Sequence, residues 1–229
     1  MDKTIKSIIT ITLFVFTNSI FATADYYSRQ LCSQQGYTCI RIKPGYTWDR
    51  LFPDHRKQAI VKKINRMNVQ LTGGMILALP NNLEQMDPLL FSPFPIRITP
   101  FDRTVIIVDL GDKAFAAYDT FGSLVYWGPI SAGRDWCPDI SRGCRTPIGR
   151  YYVQSKGGPD CISSKYPIPD GGAPMPYCMF FHGGYALHAS SDVPGYHASH
   201  GCVRLFYEDA LWLNKRFVEP GRTEVIVRP

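Results

Sequence analysis

The sequence predicts a mainly β protein with minor α, in which a small α+β unit precedes a larger domain that is an antiparallel sandwich or barrel. Only four of the 19 acidic residues are glutamate, a residue that is favoured on the exposed faces of helices. Short runs of β-branched and aromatic residues recur between turn residues along the second half of the 229-residue chain. A single convincing helical periodicity lies close to the C-terminus.

Residues 1–24 are predicted to be a secretory signal peptide. Lys3 and Lys6 precede an apolar run at 8–16, and Ala22-Thr23-Ala24 is an A-x-A cleavage site. The run is shorter than the roughly 20 apolar residues that span a bilayer. Cleavage is therefore favoured over a retained membrane anchor, and we expect an exported protein with no transmembrane segment after cleavage.

Residues 36–81 are predicted to form the small α+β unit. Alternation at 39–42 indicates a first strand, and Asp54 is the candidate N-cap of a helix that ends near Met67. A glycine pair then leads into an apolar run that predicts a second strand. Residues 82–102, which contain four of the 18 prolines, are predicted to be a linker.

Residues 103–229 are predicted to form the larger domain. Repeated short strands with turn residues between them indicate an antiparallel sandwich or barrel. A helix is predicted between Phe206 and Phe217, where apolar residues recur at intervals of three or four positions. The candidate strands are 104–109, 114–119, 124–127, 150–154, 185–188 and 223–228.

The chain has seven cysteines, an odd number. In an exported protein, where disulfides persist, six of them are expected to pair. Many pairings are formally open, and short loops favour the bridges Cys32–Cys39, Cys137–Cys144 and Cys161–Cys178. Cys202 is then left as a free thiol, which is either a buried inert residue or a reactive one.

Composition and spacing argue against several kinds of ligand. A net charge of +6 without a basic cluster argues against nucleic-acid binding in an exported protein. Zinc is disfavoured because the chain has no C-x-x-C pair, and His197-x-x-His200 lacks the H-E-x-x-H spacing and its glutamate. We therefore expect no metal, no cofactor and no nucleic-acid partner.

Four of the five histidines lie shortly before Cys202 in the sequence. A thiolate is a nucleophile, and an adjacent imidazole lowers the thiol pKa and can return a proton to a leaving amine. Gly201 lets the backbone come close, so its N–H and that of Cys202 are candidates to hold an oxyanion. The four histidines are His182, His188, His197 and His200.

The segment Ser199-His200-Gly201-Cys202-Val203-Arg204-Leu205, with His188 fourteen residues before the cysteine, resembles the signature of YkuD-type L,D-transpeptidases. Three further stretches support the resemblance, which covers about residues 103–229. They are Ser131-Ala132-Gly133, Thr146-Pro147-Ile148-Gly149 and the run from Met175 to Phe181. The resemblance implies a β-sandwich-like YkuD catalytic domain.

The resemblance also implies a role for each residue of the motif. Cys202 takes the position of the nucleophile, and His188 takes that of the general base. His200 and Gly201 match positions that line the oxyanion site. Ser199 matches a position that supports the site through hydrogen bonds.

Candidate substrate-binding residues are Arg204, Tyr185, His182 and Tyr177. Arg204 either clamps a substrate carboxylate or hydrogen-bonds an acidic residue, since its planar guanidinium suits both. The family commonly has a glycine where this chain has Ala189. The carbonyl of that residue orients the histidine before it, and alanine still supplies a carbonyl.

The implied reaction is acyl transfer on peptidoglycan stem peptides. Cys202 forms an acyl-enzyme with a tetrapeptide stem, D-alanine leaves, and an amine resolves the acyl-enzyme. The amine is either that of another diaminopimelate, which gives a 3→3 cross-link, or a lysine on an outer-membrane protein. Water as acceptor would make the enzyme an L,D-carboxypeptidase, and a non-catalytic peptidoglycan-binding structural protein is the alternative of another class. This substrate and the signal peptide together predict the periplasm.

The N-terminal unit, 36–81, resembles a LysM peptidoglycan-binding domain. The match begins at Ile42-Lys43-Pro44-Gly45-Tyr46-Thr47-Trp48-Asp49-Arg50-Leu51-Phe52 and ends with the runs 64–68 and 71–80. The usual Gly-Asp-Thr/Ser-Leu start is here Gly45-Tyr46-Thr47-Trp48. The resemblance implies that this unit binds peptidoglycan, and a generic packing domain is the alternative.

Overall fold

The computed structural model describes residues 26–84 and 87–229, so the predicted signal peptide, 1–24, lies outside the described residues. The N-terminal unit has the predicted order of a strand, helical segments and a second strand, preceded by a short helix. Its elements are α1 (Tyr27–Leu31), β1 (Tyr37–Arg41), α2 (Trp48–Leu51), α3 (His55–Ile64) and β2 (Ile76–Pro80). Strands β1 and β2 pair antiparallel, with Cys39 opposite Ala78.

Helix α3 begins at the predicted cap. The carboxylate of Asp54 accepts hydrogen bonds from the backbone N–H groups of Arg56 (2.8 Å) and Lys57 (3.3 Å). These bonds satisfy donors that have no partner inside the first helical turn. The helix ends at Ile64, before the predicted end, because Arg66 adopts a left-handed backbone conformation with φ of 57°.

The segment predicted to be a linker, 82–102, packs against the larger domain where the structure describes it. It contains a 3₁₀ helix, Pro88–Phe91, and the carbonyl of Pro88 accepts a hydrogen bond from the Trp127 indole (2.7 Å). Phe94 is buried in a cluster with Trp127 and Tyr118. The prolines therefore mark an irregular segment that covers the sheet and is not a free spacer.

The larger domain is built on one nine-stranded sheet with the strand order β6-β11-β3-β4-β5-β10-β9-β8-β7. Helix α4 (Tyr207–Trp212) continues into a π-helical turn at Leu213–Phe217, within the predicted helical region. Neither α4 nor any other helix of the described residues is long and apolar enough to cross a bilayer. The strands are β3 (Val105–Asp109), β4 (Ala114–Tyr118), β5 (Leu124–Ser131), β6 (Gly149–Tyr152), β7 (Ser155–Lys156), β8 (Met179–His182), β9 (Tyr185–Ala189), β10 (Val203–Leu205) and β11 (Glu224–Arg228).

The sheet is mixed, whereas the turn pattern predicted an antiparallel one. β11 pairs parallel with β3, and β10 pairs parallel with β9. The prediction rested on hairpin turns between consecutive strands, which join β3 to β4 and β4 to β5. Both parallel pairs instead join strands that are separated by long connections, as parallel pairing requires.

The sheet curls so that its two halves share one core. Phe115 on β4, Leu187 on β9 and Leu213 in the π-helical turn belong to the same buried cluster. A single sheet thus encloses the core as the two layers of a sandwich would. The predicted fold class, mainly β with minor α, is confirmed.

A buried arginine joins the N-terminal unit to the larger domain. Arg66 is 3% exposed, and its guanidinium donates to the carbonyl oxygens of Asp112 (2.9 Å) and Lys63 (2.8 Å). Its Cζ lies 4.4 Å from the ring centroid of Tyr27 and 5.0 Å from that of Trp127. Carbonyl oxygens and aromatic faces therefore offset the hydration that the cation loses.

Candidate active site

Cys202 and His188 meet where strands β9 and β10 run side by side. The strands pair parallel, with Val203 opposite Leu187 and Arg204 opposite His188. Side chains two residues apart on an extended segment point to the same face, so Cys202 and Arg204 share the face of His188. All three line one groove. The structure therefore places the predicted nucleophile and the predicted base on one face of neighbouring strands, in the same groove.

The imidazole of His188 is buried and held in one orientation. Its Nδ1 lies 2.8 Å from the carbonyl oxygen of Ala189, and because a carbonyl only accepts, Nδ1 carries the proton. Burial lowers the pKa of His188 to about 4, partly offset by the Ala189 hydrogen bond and reinforced by the charge of Arg204. His188 is therefore neutral at neutral pH, with the Nε2 lone pair free to accept a proton.

Cys202 is the free cysteine of the described chain and is half-buried. Its Sγ lies 3.7 Å from the carbonyl oxygen of Gly184. Burial raises the pKa of the thiol, whereas a hydrogen bond to the backbone of Ala186 and the charge of Arg204 act to lower it. The two side chains are thus a neutral thiol and a neutral imidazole at neutral pH.

Ser199 closes the backbone turn that carries Cys202. Its hydroxyl donates to the carbonyl oxygen of Cys202 (2.5 Å) and accepts from the N–H of Gly201 (2.9 Å). The expectation that the Gly201 N–H holds an oxyanion does not fit the structure, because Ser199 already takes this donor. Among the described residues, the N–H groups of His200 and Cys202 have no hydrogen-bond acceptor, which leaves both as candidate backbone donors of the motif.

Gly201 is needed in the turn because it has no side chain. It adopts φ of 125°, a conformation that disfavours any residue with a side chain, and an added Cβ would lie 2.5 Å from Cε1 of Tyr185. Its carbonyl oxygen accepts a hydrogen bond from Oγ1 of Thr146 (2.7 Å). A glycine is therefore required for the turn to pass between Tyr185 and Thr146.

Thr146 is a positioning residue to which the sequence assigned no role. Its buried hydroxyl accepts from the N–H of Gly133 (3.0 Å) while donating to Gly201. Gly133 in turn sits so close to the backbone that a Cβ would lie 1.8 Å from the carbonyl oxygen of Cys144. The two stretches that supported the family resemblance, 131–133 and 146–149, thus wrap around the catalytic motif.

His200 lies on the groove wall and is held by residues that sequence reasoning missed. Its Nε2 is 2.6 Å from a carboxylate oxygen of Asp139, and its ring packs on Tyr166 with centroids 4.7 Å apart. The hydrogen bond from His200 lowers the pKa of Asp139. Cys137 lies near this pair, but its sulfur is bonded to Cys144 and is not available as a thiolate metal ligand.

Arg204 has an acidic partner. Its Nη1 lies 2.5 Å from a carboxylate oxygen of Asp192 and 3.3 Å from the Asp192 carbonyl oxygen. This contact corresponds to one of the two predicted roles, hydrogen bonding to an acidic residue. The side chain also lines the groove, so the second role, contact with a substrate carboxylate, stays a prediction.

The groove in front of Cys202 has a volume of about 1580 Å³, which exceeds the ~300–1,000 Å³ of a typical ligand pocket. Tyr185 and Arg204 line it, as expected for residues that contact the substrate. Part of its wall comes from the N-terminal unit, including Lys62 and Asn68. Residues of both units therefore form the walls of the groove.

Two of the predicted substrate-binding residues do not line this groove. His182, at the end of β8, is exposed and packs beside the rings of Tyr151 (4.6 Å between centroids) and Tyr185 (5.9 Å). Tyr177 is buried in the main core, where its hydroxyl lies 3.3 Å from that of Tyr207. Surface stacking accounts for the position of His182, and core packing accounts for that of Tyr177.

Six cysteines pair in the structure, in the three bridges that short loops favoured. Cys32–Cys39 joins α1 to β1, Cys137–Cys144 flanks the catalytic turn, and Cys161–Cys178 closes a loop near the groove. Each bridge has Cα atoms within ordinary disulfide reach, 5.9–6.2 Å apart. Cys202 is thereby left as the unpaired thiol.

Comparison with known families assigns the larger domain. Residues 103–227, more than half of the chain, match the family model YkuD, the L,D-transpeptidase catalytic domain. The chain belongs to this family. The resemblance indicated by the motif around Cys202 is thereby confirmed, and the matched residues include the whole of that motif, 199–205.

Similar proteins are also L,D-transpeptidases by name. YciB, a candidate L,D-transpeptidase of Bacillus subtilis (strain 168), is 29% identical in an alignment of 133 residues that covers 52% of this chain and 64% of YciB. The match thus spans less than two thirds of that relative. The crystal structure of an L,D-transpeptidase from Xylanimonas cellulosilytica DSM 15894 shares the fold, with a TM-score of 0.55 at 23% identity, over 76% of this chain and 79% of that one. The YkuD match begins at residue 103, so the LysM resemblance of 36–81 stays a prediction.

Proposed function

We propose that this chain is an exported cysteine L,D-transpeptidase that acts on the tetrapeptide stems of peptidoglycan. The observation that carries the proposal is a free thiol on Cys202 next to His188, whose Nε2 lone pair is kept available by the hydrogen bond from Nδ1 to Ala189. Both side chains line the same groove. A thiol beside an oriented base is the arrangement that nucleophilic acyl transfer requires.

In the first half-reaction, the Cys202 sulfur attacks the carbonyl carbon that joins diaminopimelate to the terminal D-alanine. Nε2 of His188 takes the thiol proton as the C–S bond forms. The charge that develops on the former carbonyl oxygen meets the N–H of Cys202, which has no acceptor among the described residues. The C–N bond then breaks, His188 returns the proton to the leaving nitrogen, and D-alanine departs from an acyl thioester.

In the second half-reaction, an amine attacks the thioester carbonyl. His188 takes a proton from the attacking nitrogen, the C–S bond breaks, and the proton returns to the Cys202 sulfur. An amine from a second diaminopimelate gives a 3→3 cross-link, and a protein lysine gives attachment of that protein to the wall. The size of the groove supports simultaneous access for a donor stem and an acceptor.

The catalytic proposal is favoured over a non-catalytic wall-binding protein. The buried hydroxyls of Ser199 and Thr146 donate hydrogen bonds to backbone carbonyl oxygens of the turn that carries Cys202. These bonds fix the turn that carries the free thiol, as a catalytic site requires. Three disulfides support an oxidising compartment, and with this substrate class we place the enzyme in the periplasm.

The test is a reaction of the mature protein with purified tetrapeptide muropeptides, followed by mass spectrometry of the products. We expect release of D-alanine and formation of cross-linked dimers, both abolished in Cys202→Ala. A parallel reaction with a lysine-containing peptide as acceptor separates protein attachment from cross-linking. Hydrolysed tripeptides as the sole product would indicate an L,D-carboxypeptidase, and turnover by Cys202→Ala equal to that of the native chain would refute the proposal.

A second measurement is independent of the acceptor. The family resemblance predicts that a carbapenem acylates Cys202, since a β-lactam carbonyl presents the same electrophile to the thiol. We expect the intact mass of the native protein to rise by one carbapenem and that of Cys202→Ala to stay unchanged. A native protein that stays unlabelled would count against the proposed mechanism.

A further inference from the structure

The segment that connects His188 to the catalytic turn is held by the N-terminal unit. It runs from Ser190 to Ala198, between strands β9 and β10, and we call it the connecting segment. Asn68, which follows helix α3, makes three hydrogen bonds to it. The side-chain Nδ2 donates to the Ser190 carbonyl (2.9 Å), Oδ1 accepts from the Val193 N–H (3.0 Å), and the Asn68 N–H donates to the Val193 carbonyl (2.9 Å).

The four residues that Asn68 brackets, 190–193, contain the partner of Arg204. Asp192 lies between the two anchored positions, and its own N–H donates to Oγ of Ser190 (3.0 Å). Its carboxylate and carbonyl oxygens both accept from Nη1 of Arg204. Because Asp192 is exposed, packing of its own side chain does not fix it, and the anchored turn sets its position.

The two halves of the connecting segment have different supports. Gly195 accepts a hydrogen bond from the N–H of Tyr27 (3.0 Å), and Pro194 forms a β-bridge with Met67, so the first half rests on the N-terminal unit. The second half rests on the catalytic domain, where Oγ of Ser131 donates to the Tyr196 carbonyl (2.8 Å). Loss of the N-terminal contacts would therefore loosen the half that contains Asp192, which the N-terminal unit holds on both sides of that residue.

We infer that the N-terminal unit is a built-in part of the active site, and that Asn68 is a positioning residue that acts on Arg204 through Asp192. Arg204 lies opposite His188 in the strand register and shares its face with Cys202. An Arg204 side chain that is held in place keeps its charge and its hydrogen-bond donors at a fixed position beside the reacting pair. The inference rests on the proposed function for its catalytic consequence, whereas the anchoring of the connecting segment is independent of it.

The test compares Asn68→Ala with Asn81→Ala. Asn81 lies in the same unit, and its side chain accepts only an exposed hydrogen bond from Thr38 far from the groove. We expect Asn68→Ala to reduce the rate of carbapenem acylation on the order of 10-fold, because small displacements of positioning groups are costly. Asn81→Ala is expected to acylate at the native rate.

A double-mutant cycle with Asp192→Asn separates positioning from general destabilisation. If Asn68 acts through Asp192, each single variant slows acylation and the double variant is no slower than the slower single one. The two single variants should also share one altered pH profile of acylation. If the two substitutions reduce the acylation rate independently, so that their effects multiply, and the pH profile is unchanged, Asn68 has a merely structural role and the inference is overturned. A native acylation rate in Asp192→Asn would also overturn it. This last measurement tests the inference even if Asn68→Ala does not fold.

Hydrogen exchange tests the anchoring without any catalytic readout. We expect faster exchange of the Val193 amide in Asn68→Ala, with unchanged exchange in β3–β5. Unchanged protection of Val193 would overturn the inference while leaving the proposed function intact. Failure of the native protein to acylate, together with the expected exchange, would refute the proposed function and leave the anchoring established.

Discussion

Nδ1 of His188 donates a 2.8 Å hydrogen bond to the carbonyl oxygen of Ala189, the next residue in the chain. A backbone carbonyl orients the ring here, so the bond does not depend on which side chain follows the histidine. The backbone of Ala189 lies outside the left-handed region, which means that alanine fits where the family commonly has glycine. The substitution therefore leaves the proposed base intact.

Acylation should stay active well below neutral pH. Burial lowers the pKa of His188 to about 4, so the ring keeps its Nε2 lone pair as the pH falls past the ordinary histidine value near 6.5. We expect the rate constant of carbapenem acylation to fall only as the pH approaches about 4. Stopped-flow measurements between pH 3.5 and 8 check this, in buffers where the unfolding transition shows the protein to be folded. An acidic limb centred near 6.5 would contradict the assignment.

Ser199→Ala should impair acylation strongly. The substitution leaves the buried Gly201 N–H without an acceptor and frees the Cys202 carbonyl, with a cost of about 1–3 kcal/mol for the unsatisfied group. We expect the acylation rate to fall on the order of 10²-fold because the turn no longer holds the sulfur in line. Ser33→Ala, which removes one exposed hydrogen bond to Gln30, is the matched control and should leave the rate unchanged. Equal acylation rates in the two variants would show that the turn keeps its conformation without the hydrogen bonds of Ser199.

Gly201→Ala should abolish acylation. The residue needs φ of 125°, and the new methyl group would lie 2.5 Å from Cε1 of Tyr185. Gly158→Ala is the control, since an added Cβ meets nothing within 4 Å there and the backbone is not left-handed. Intact-mass acylation and thermal melting of both variants measure the effect. A fully active Gly201→Ala would mean that the turn tolerates another conformation.

Lys63→Ala should destabilise the fold. Lys63 reaches from helix α3 to Asp209, which is 1% exposed, at 3.1 Å. Removal of the cation leaves a buried carboxylate without its ionic partner, which costs about 3 kcal/mol or more. Lys57→Ala removes the exposed pair with Glu84 and should cost less than about 1 kcal/mol. Urea unfolding of both variants gives the comparison, and equal midpoints would contradict it.

The cost of Lys63→Ala should shrink at acidic pH. Burial raises the pKa of Asp209, and Lys63 opposes that effect, so the carboxyl of the variant takes up a proton at a higher pH than in the native chain. A protonated carboxyl is neutral, so it can be buried without an ionic partner. Repetition of the urea titration near pH 4 should therefore bring the two stabilities closer together. A gap that widens toward pH 4 would contradict this sign.

Local features of the site could be predicted from the sequence. The Cys202 turn is one contiguous motif, and the three disulfides close short loops, so both are visible in the order of residues. Alternation along β9 also places His188 on a defined face. These features depend on neighbours in the chain, which is the information that a single sequence contains.

Contacts between distant segments could not be predicted. Asn68 lies 122 positions before Ser190. Nothing in the sequence around an asparagine that follows a helix indicates a partner so far along the chain. The same holds for Asp139 beside His200, 61 positions away. The fate of the Gly201 N–H was missed for another reason, because it depends on the rotamer of Ser199 and not on residue type. The parallel pairs of the sheet likewise depend on connections that only the fold defines.

The spacing of the cysteines also bears on the order in which the disulfides can form as the chain emerges. The bridged residues are 7, 7 and 17 positions apart, and all six precede Cys202. A chain emerges from its N-terminus onward, so each cysteine meets its partner soon after its own appearance, across a loop that is easy to close. Every bridge can be complete before residue 202 arrives. Cys202, the proposed nucleophile, is thus the last cysteine to emerge, at a point where each of the other six can already be bonded to its partner.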